Sequence, residues 1–222
     1  MKRWKENIWI FLPEHINEER DIFYFLSAVL CVRIGKEFLH CLTKSVREWV
    51  YNEYIRKESY IMEQGTIFKF HNDLDTDQII ASQYLLLPNL DEMKGHTFES
   101  LDPDFAKKVK PGDFVVGGEN FGCGSSREQA PGVLKALGVQ AVIAKSFARI
   151  FFRNAINIGL PAIVCKDLPD EVQTGDKMAL HMSEGTAEAN GKVYSCTKLP
   201  EYMQGILNQG GLIASLNREE EK

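Results

Sequence analysis

From Gly65 onward, apolar and polar positions alternate in short blocks punctuated by Gly, Pro and Asp. Gly65-Thr66-Ile67-Phe68-Lys69-Phe70 alternates and predicts a strand. The stretch from His71 to Asp77, with three carboxylates, predicts a polar loop. Tyr84-Leu85-Leu86-Leu87, stopped by Pro88, fits either a short buried strand or a loop lining an apolar pocket. Residues 102–110 predict a short helix with Asp102 as cap and Pro103 at its first position. Residues 114–117 predict a strand. Residues 126–137 predict a helix with Ala130, Val133, Leu134 and Leu137 on one face and Gly138 as its stop. A strand over 139–144, a helix capped by Ser146 through Ile156, and a strand over 160–165 follow. The remainder turns β-rich, with strands over 176–182 and 192–196, a closing helix over 199–207 and a charged, frayed tail from Asn217. The strand–helix alternation across 114–165 predicts α/β layering.

Residues 1–61 differ in texture. They hold all three tryptophans and one of the 17 glycines. Phe38, Leu42, Val46, Trp49 and Val50 recur at three- and four-residue steps, the spacing of a helix. Two readings stand side by side: a helical appendage to the main domain, or a translated leader before a native start at Met62. The domain division is therefore 1–61 and 62–222.

The candidate chemistry sits in Gly118-Glu119-Asn120-Phe121-Gly122-Cys123-Gly124-Ser125-Ser126-Arg127-Glu128. Glycines let the backbone take positive φ and aim several N–H groups at one point. A helix beginning there adds first-turn amides and its positive dipole end, and two hydroxyls and a guanidinium fall in the same place. This is the composition of a carboxylate or phosphate site. Ser125-x-x-Glu128 also fits a capping box, which any helix start can show. Cys123 near a helix start has the setting of a nucleophile, yet no histidine motif supplies a base, and a tightly packed small residue is the other reading. Asp75-Thr76-Asp77 fits a turn whose carboxylates bond local amides, or a site where Asp77 orients a histidine or accepts a proton. Lys145, Arg149 and Arg153 fit solvated charge.

Composition narrows the classes. A net charge of −5 argues against a nucleic-acid partner or an anionic membrane surface. The longest apolar run, Ile22 to Val32, is too short to span a bilayer, and its acidic flank is wrong for a signal peptide. A soluble, cytoplasmic protein is expected. Five cysteines without C-x-x-C spacing fit reduced thiols and provide no complete metal site.

Three blocks make the chain similar to a known family. They are Asp73-Leu74-Asp75-Thr76-Asp77-Gln78-Ile79-Ile80, Asn120 through Glu128, and Ala144-Lys145-Ser146-Phe147-Ala148-Arg149-Ile150-Phe151. In this order they resemble the small subunit of 3-isopropylmalate dehydratase and, more distantly, the swivelling C-terminal domain of aconitase and homoaconitase. The resemblance covers about residues 62–215. It implies an α/β fold, a three-layer β/β/α swivelling domain, here with a helical N-terminal extension.

It also implies a hydro-lyase that moves a hydroxyl between neighbouring carbons of a dicarboxylic acid through an alkene. No cofactor is expected on this chain; a [4Fe-4S] cluster is expected on a partner large subunit, in a heterodimer or heterotetramer. Carried onto this chain, Ser125 is the base, acting as an alkoxide stabilised by the glycine-loop amides around Gly124, the helix dipole and Arg127. Ser126 and Arg127 hold a substrate carboxylate, and Thr76 and Asp77 complete the site, Asp77 facing a histidine of the large subunit. The chain departs from the common Arg-Glu-His by placing Gln129 after Glu128. Homoaconitase-like members carry an arginine in the segment here occupied by Tyr84 to Leu87, and none occurs between Gln78 and Met93. Leu86 therefore suits a branched alkyl group, as in isopropylmalate; dimethylmalate and citramalate are the close alternatives.

Overall fold

The computed structural model describes residues 2–4, 8–10 and 61–220, with side chains over 64–217. The chain falls into two units, Met1–Lys57 and Glu58–Lys222. In the first, β1 (Lys2–Trp4) pairs antiparallel with β2 (Ile8–Ile10). The helical repeat at Phe38 to Val50 lies outside the described residues.

The second unit is built around β3 (Ile61–Lys69), the long strand of a seven-stranded sheet. Its C-terminal half pairs parallel with β4 (Phe114–Gly117), which pairs with β5 (Ala141–Ala144), and that with β6 (Ala162–Val164). Its N-terminal half pairs antiparallel with β7 (Lys177–His181), followed by β8 (Thr186–Ala189) and β9 (Lys192–Ser195). The irregularity between Met62 and Gly65 lets one strand serve both halves. Gly65 is required there, because a Cβ would meet the Gly112 carbonyl oxygen. Buried Asp113 fastens the same corner by accepting from the amides of Thr66 and Lys110, 2.8 Å each.

Parallel strands covered on both faces are apolar at every position, and β4 and β5 are buried throughout. Val115 and Val142 point into a core with Phe68, Phe121, Leu134 and Phe151. Phe114, Val116 and Ile143 point the other way, onto Met178, Leu180 and Tyr194 of the antiparallel half. Helices α4 (Gln129–Ala136) and α5 (Arg149–Ile158) cover the first face. The three layers are thus the antiparallel half, the parallel half and the helices, the expected β/β/α order. The sheet curls until its edges meet, Thr197 N donating to Val164 O at 2.7 Å.

The short helices α1 (Thr76–Ile79), α2 (Leu90–Met93) and α3 (Phe105–Lys108) bridge β3 and β4. Helix α6 (Leu168–Glu171) follows β6, and α7 (Glu201–Asn208) and α8 (Leu212–Glu220) close the chain. Several elements differ from the sequence expectation. Residues 84–87 are no buried strand: Ser82–Leu86 forms a 3₁₀ turn on the surface. Asp102 does not cap the following helix by a direct first-turn bond; it accepts from Asp104 N, and α3 begins only at Phe105. The tail from Asn217 continues α8 to Glu220.

Candidate functional site

Strand β3 runs out into residues 70–75 and its neighbour β4 into residues 118–128, so the two motif loops leave the sheet side by side. They are zipped together by backbone. Asp73 N donates to Glu119 O and Gly122 N to Leu74 O, both at 2.8 Å, and Thr76 N to Cys123 O at 2.9 Å. Side chains add to this: Glu119 N donates to Asn72 Oδ1, and the Thr76 hydroxyl to Ser125 O. Asp73 and Asn120 both take positive φ, which Asn and Asp tolerate best among residues with a Cβ, and Asn120 Nδ2 donates to Asp73 Oδ1 at 2.8 Å.

The glycines serve close packing. A Cβ on Gly124 (φ 85°) would lie 2.2 Å from the Asp75 carboxylate, and one on Gly122 (φ 77°) would enter the Phe151 ring. Asp75 in turn caps α1. Its carboxylate accepts from Asp77 N at 2.8 Å, and the Gln78 side chain accepts from Asp75 N at 3.0 Å. The capping box therefore exists at Asp75 and Gln78, while the one expected at Ser125 and Glu128 does not form. Helix α4 begins at Gln129, with no side-chain cap, and Pro131 sits in its first turn where a missing N–H costs nothing. Ser146 likewise caps nothing; its hydroxyl accepts from Asn120 N at 2.8 Å.

What remains open is the segment between. Gly124, Ser125 and Ser126 are exposed. The amides of Gly124, Ser125, Ser126 and Arg127 and the hydroxyls of both serines have no partner among the described residues. Helix α4 starts beyond Glu128, so the donors available within this segment are these amides rather than the first turn of the helix.

Arg127 turns back under this segment, 11% exposed, and meets Asp77 fork to fork. Nη1 to Oδ1 is 2.5 Å and Nη2 to Oδ2 is 2.9 Å. Ser82 closes the group, accepting from Nη2 at 3.1 Å and donating to Asp77 Oδ1 at 2.7 Å. The Ser82 hydroxyl, and next Arg127, hold the Asp77 carboxyl below the usual carboxylate range. Within this chain Asp77 faces Arg127. Thr76 is buried, its hydroxyl spent on the loop junction.

Beside Asp77 lies a cleft of about 290 Å³, lined by Ala81, Tyr84, His96 and Glu99 among others. The Tyr84 ring stacks on His96 at 3.8 Å, which steadies the 3₁₀ turn. That turn presents Leu86 at 90% exposure. Burial, and then Asp75 and Asp73, push the Cys123 thiol up, the opposite of what a nucleophile needs. Lys145 pairs with Asp170 at 2.7 Å, and Arg149 and Arg153 are solvent-exposed.

Residues 65–168 match the family model described as the aconitase C-terminal domain. The small subunit 1 of 3-isopropylmalate dehydratase from Archaeoglobus fulgidus is 52% identical over 151 residues, 67% of this chain and 93% of that one. The chain belongs to the family of 3-isopropylmalate dehydratase small subunits. The isopropylmalate/citramalate isomerase small subunit of Methanocaldococcus jannaschii is 48% identical, over 70% of this chain and 94% of its own length. A crystal structure of 3-isopropylmalate dehydratase from the same organism superposes with a TM-score of 0.69 at 42% identity, covering 72% of this chain and 96% of that one. The swivelling-domain fold expected from the three motif blocks is therefore the fold of the family. The sequence reading quoted Asp73 and Asn120 within its motif blocks but not their contact with each other, and it gave no role to Asn72 or Ser82. The signal available for the loop junction was the Asp and Asn that open the first two motif blocks, residue types that tolerate positive φ. Among the described residues, no helix is long and apolar enough to cross a membrane.

Proposed function

We propose that this chain is the small subunit of a two-subunit hydro-lyase that interconverts 2-isopropylmalate and 3-isopropylmalate by dehydration and rehydration, in cytoplasmic leucine biosynthesis. The observation that carries the reading is the segment Gly124 to Arg127, exposed at Gly124, Ser125 and Ser126. Amides and two hydroxyls without a partner among the described residues stand there beside a paired Arg127 and Asp77, in a chain of this family.

In this reading Ser125 Oγ is the base that takes the proton from carbon. A serine alkoxide is accessible only if its charge is stabilised, and the loop amides are donors held in place before the reaction begins. The Ser126 hydroxyl and Arg127 hold a substrate carboxylate, which competes with Asp77 for the guanidinium fork. Gly124 allows the loop to reach the substrate without a side chain in the way. Among the described residues, no three His, Cys, Asp or Glu side chains converge on a metal position. The reading places a [4Fe-4S] cluster on the large subunit, where it supplies a Lewis acid for the substrate hydroxyl. Leu86 offers an apolar surface to the alkyl branch, against which a third carboxylate would be left unpaired.

The M. jannaschii relative, whose name includes citramalate, favours a second reading in which a smaller alkyl group is also accepted. Reconstitution with the cluster-bearing large subunit of the same organism tests both. Turnover of 2-isopropylmalate is expected, with citramalate as the runner-up substrate. Preferred turnover of homocitrate would overturn the specificity argument. Anion binding by the isolated chain, with no turnover in the complex, would leave a stand-alone binding module instead.

A further inference from the structure

The place where the curled sheet closes on itself carries a pair of cysteines. Strand β9 runs antiparallel to β6: β3 to β6 are mutually parallel, and β7, β8 and β9 alternate in direction from β3. With Thr197 N bonded to Val164 O, antiparallel register sets the next residues, Cys165 and Cys196, opposite each other. Directly opposed residues have Cα atoms about 4.5–5.5 Å apart, inside the range a disulfide spans. The side chains agree with the backbone. The Cys165 thiol donates to Ser195 O at 3.3 Å, beside Cys196, and the Cys196 thiol to Tyr194 O at 3.9 Å.

We infer that Cys165 and Cys196 form an intramolecular disulfide under oxidising conditions, a covalent clasp across the seam between the two edges of the sheet.

The chemistry needs a two-electron oxidant, and hydrogen peroxide serves. One sulfur is oxidised to the sulfenic acid with release of water. The other sulfur attacks it, the S–S bond forms and a second water leaves, so two thiols and one peroxide give a disulfide and two waters. The neighbouring Cys196 holds the Cys165 thiol down to about 7, so Cys165 ionises first, and the Cys196 thiol is pushed up. Cys165 is 1% exposed and Cys196 half-buried, so the pair is reached from the Cys196 side. Cys123 has no such partner among the described residues, and its thiol is pushed up by burial.

The clasp lies on the rim that carries the candidate site. Cys165 N donates to Ala144 O, and Lys145 N to Gly118 O, so Cys165 stands two strands along from the glycine loop. It closes a loop of about 30 residues across the seam. On the chain-entropy model this raises Tm by roughly 5–15 °C.

The test uses the full chain. Hydrogen peroxide is added under native conditions, remaining thiols are alkylated, and peptides are mapped without reduction. A cross-linked peptide joining Cys165 to Cys196 is expected, with Cys123 still alkylated and a Tm rise that dithiothreitol reverses. In Cys196→Ser, at the more accessible position, peroxide should no longer raise Tm. Recovery of both residues as alkylated thiols, or a cross-link from either one to Cys31, Cys41 or Cys123, would overturn the inference.

Discussion

Arg127 and Asp77 bind each other through both ends of their forks, at 2.5 and 2.9 Å, across 50 residues of sequence. A carboxylate in this position occupies both arms of the guanidinium, so under the proposed function Asp77 competes with the substrate carboxylate for Arg127. Lysine keeps the charge but not the fork. Arg127→Lys should raise KM for isopropylmalate by roughly ten-fold or more, the worth of one good charge-assisted hydrogen bond, with a smaller change in kcat. Steady-state kinetics of the reconstituted complex check this, and an unchanged KM would remove Arg127 from substrate binding.

Ser125→Ala takes away a hydroxyl that has no partner among the described residues, so the fold should not register it. Loss of a general base costs about 10²–10⁴ in rate. Turnover should fall into that range while assembly with the large subunit and the melting temperature stay as in the wild type. Near-normal turnover would assign the base elsewhere.

Much of this was legible in the sequence because its physics is local. The runs 114–117 and 141–144 are apolar at every residue, which only a strand covered on both faces explains. Gly159, in the left-handed conformation that glycine adopts without penalty, ends α5. The site loop was harder. A serine pair followed by glutamate has the spacing of a capping box, yet the Ser125 carbonyl is held by the Thr76 hydroxyl 49 residues away, and the helix starts later. That bond is a product of two strands lying side by side, which no local pattern encodes. Of the two readings of 84–87, the buried strand fails: from a 3₁₀ turn, Leu85 and Leu87 pack partly buried on the core while Leu86 does not. Apolar residues predict burial unless a partner or substrate is to cover them, and Leu86 is exposed.

Gly124 should be intolerant of any side chain. Its φ of 85° disfavours a Cβ, and that atom would lie 2.2 Å from a carboxylate that caps α1. Gly124→Ala should destabilise by about 1–3 kcal/mol. It should also lower activity by displacing Ser125. Urea unfolding measures the first, and a loss below 0.5 kcal/mol would show that the loop relaxes freely.

The Asp77 carboxyl is held low, first by Ser82 and then by Arg127. A group whose folded pKa lies below its unfolded value, about 3.9 for Asp, stabilises the fold above that value. The stabilisation disappears as pH falls through the folded pKa, so the window lies below about pH 4. Asp77 is half exposed, and the contribution is correspondingly small. Wild type should melt slightly above Asp77→Asn at neutral pH, and the two curves should converge as pH falls below 4. A difference that persisted unchanged to pH 2 would mean the ion pair is not its source.

Leu86 separates specificity from stability. At 90% exposure its side chain packs on almost nothing in this chain, so Leu86→Arg should change stability by no more than about 0.5 kcal/mol. In the complex the same change places a guanidinium where the alkyl branch of isopropylmalate is expected. It should raise KM for isopropylmalate and improve turnover of a substrate carrying a carboxylate on that branch, such as homocitrate. The ratio of kcat/KM for the two substrates is the measurement. A ratio that does not move would mean that Leu86 faces solvent or the partner protein rather than the substrate, and the apolar selectivity would then have to come from the large subunit.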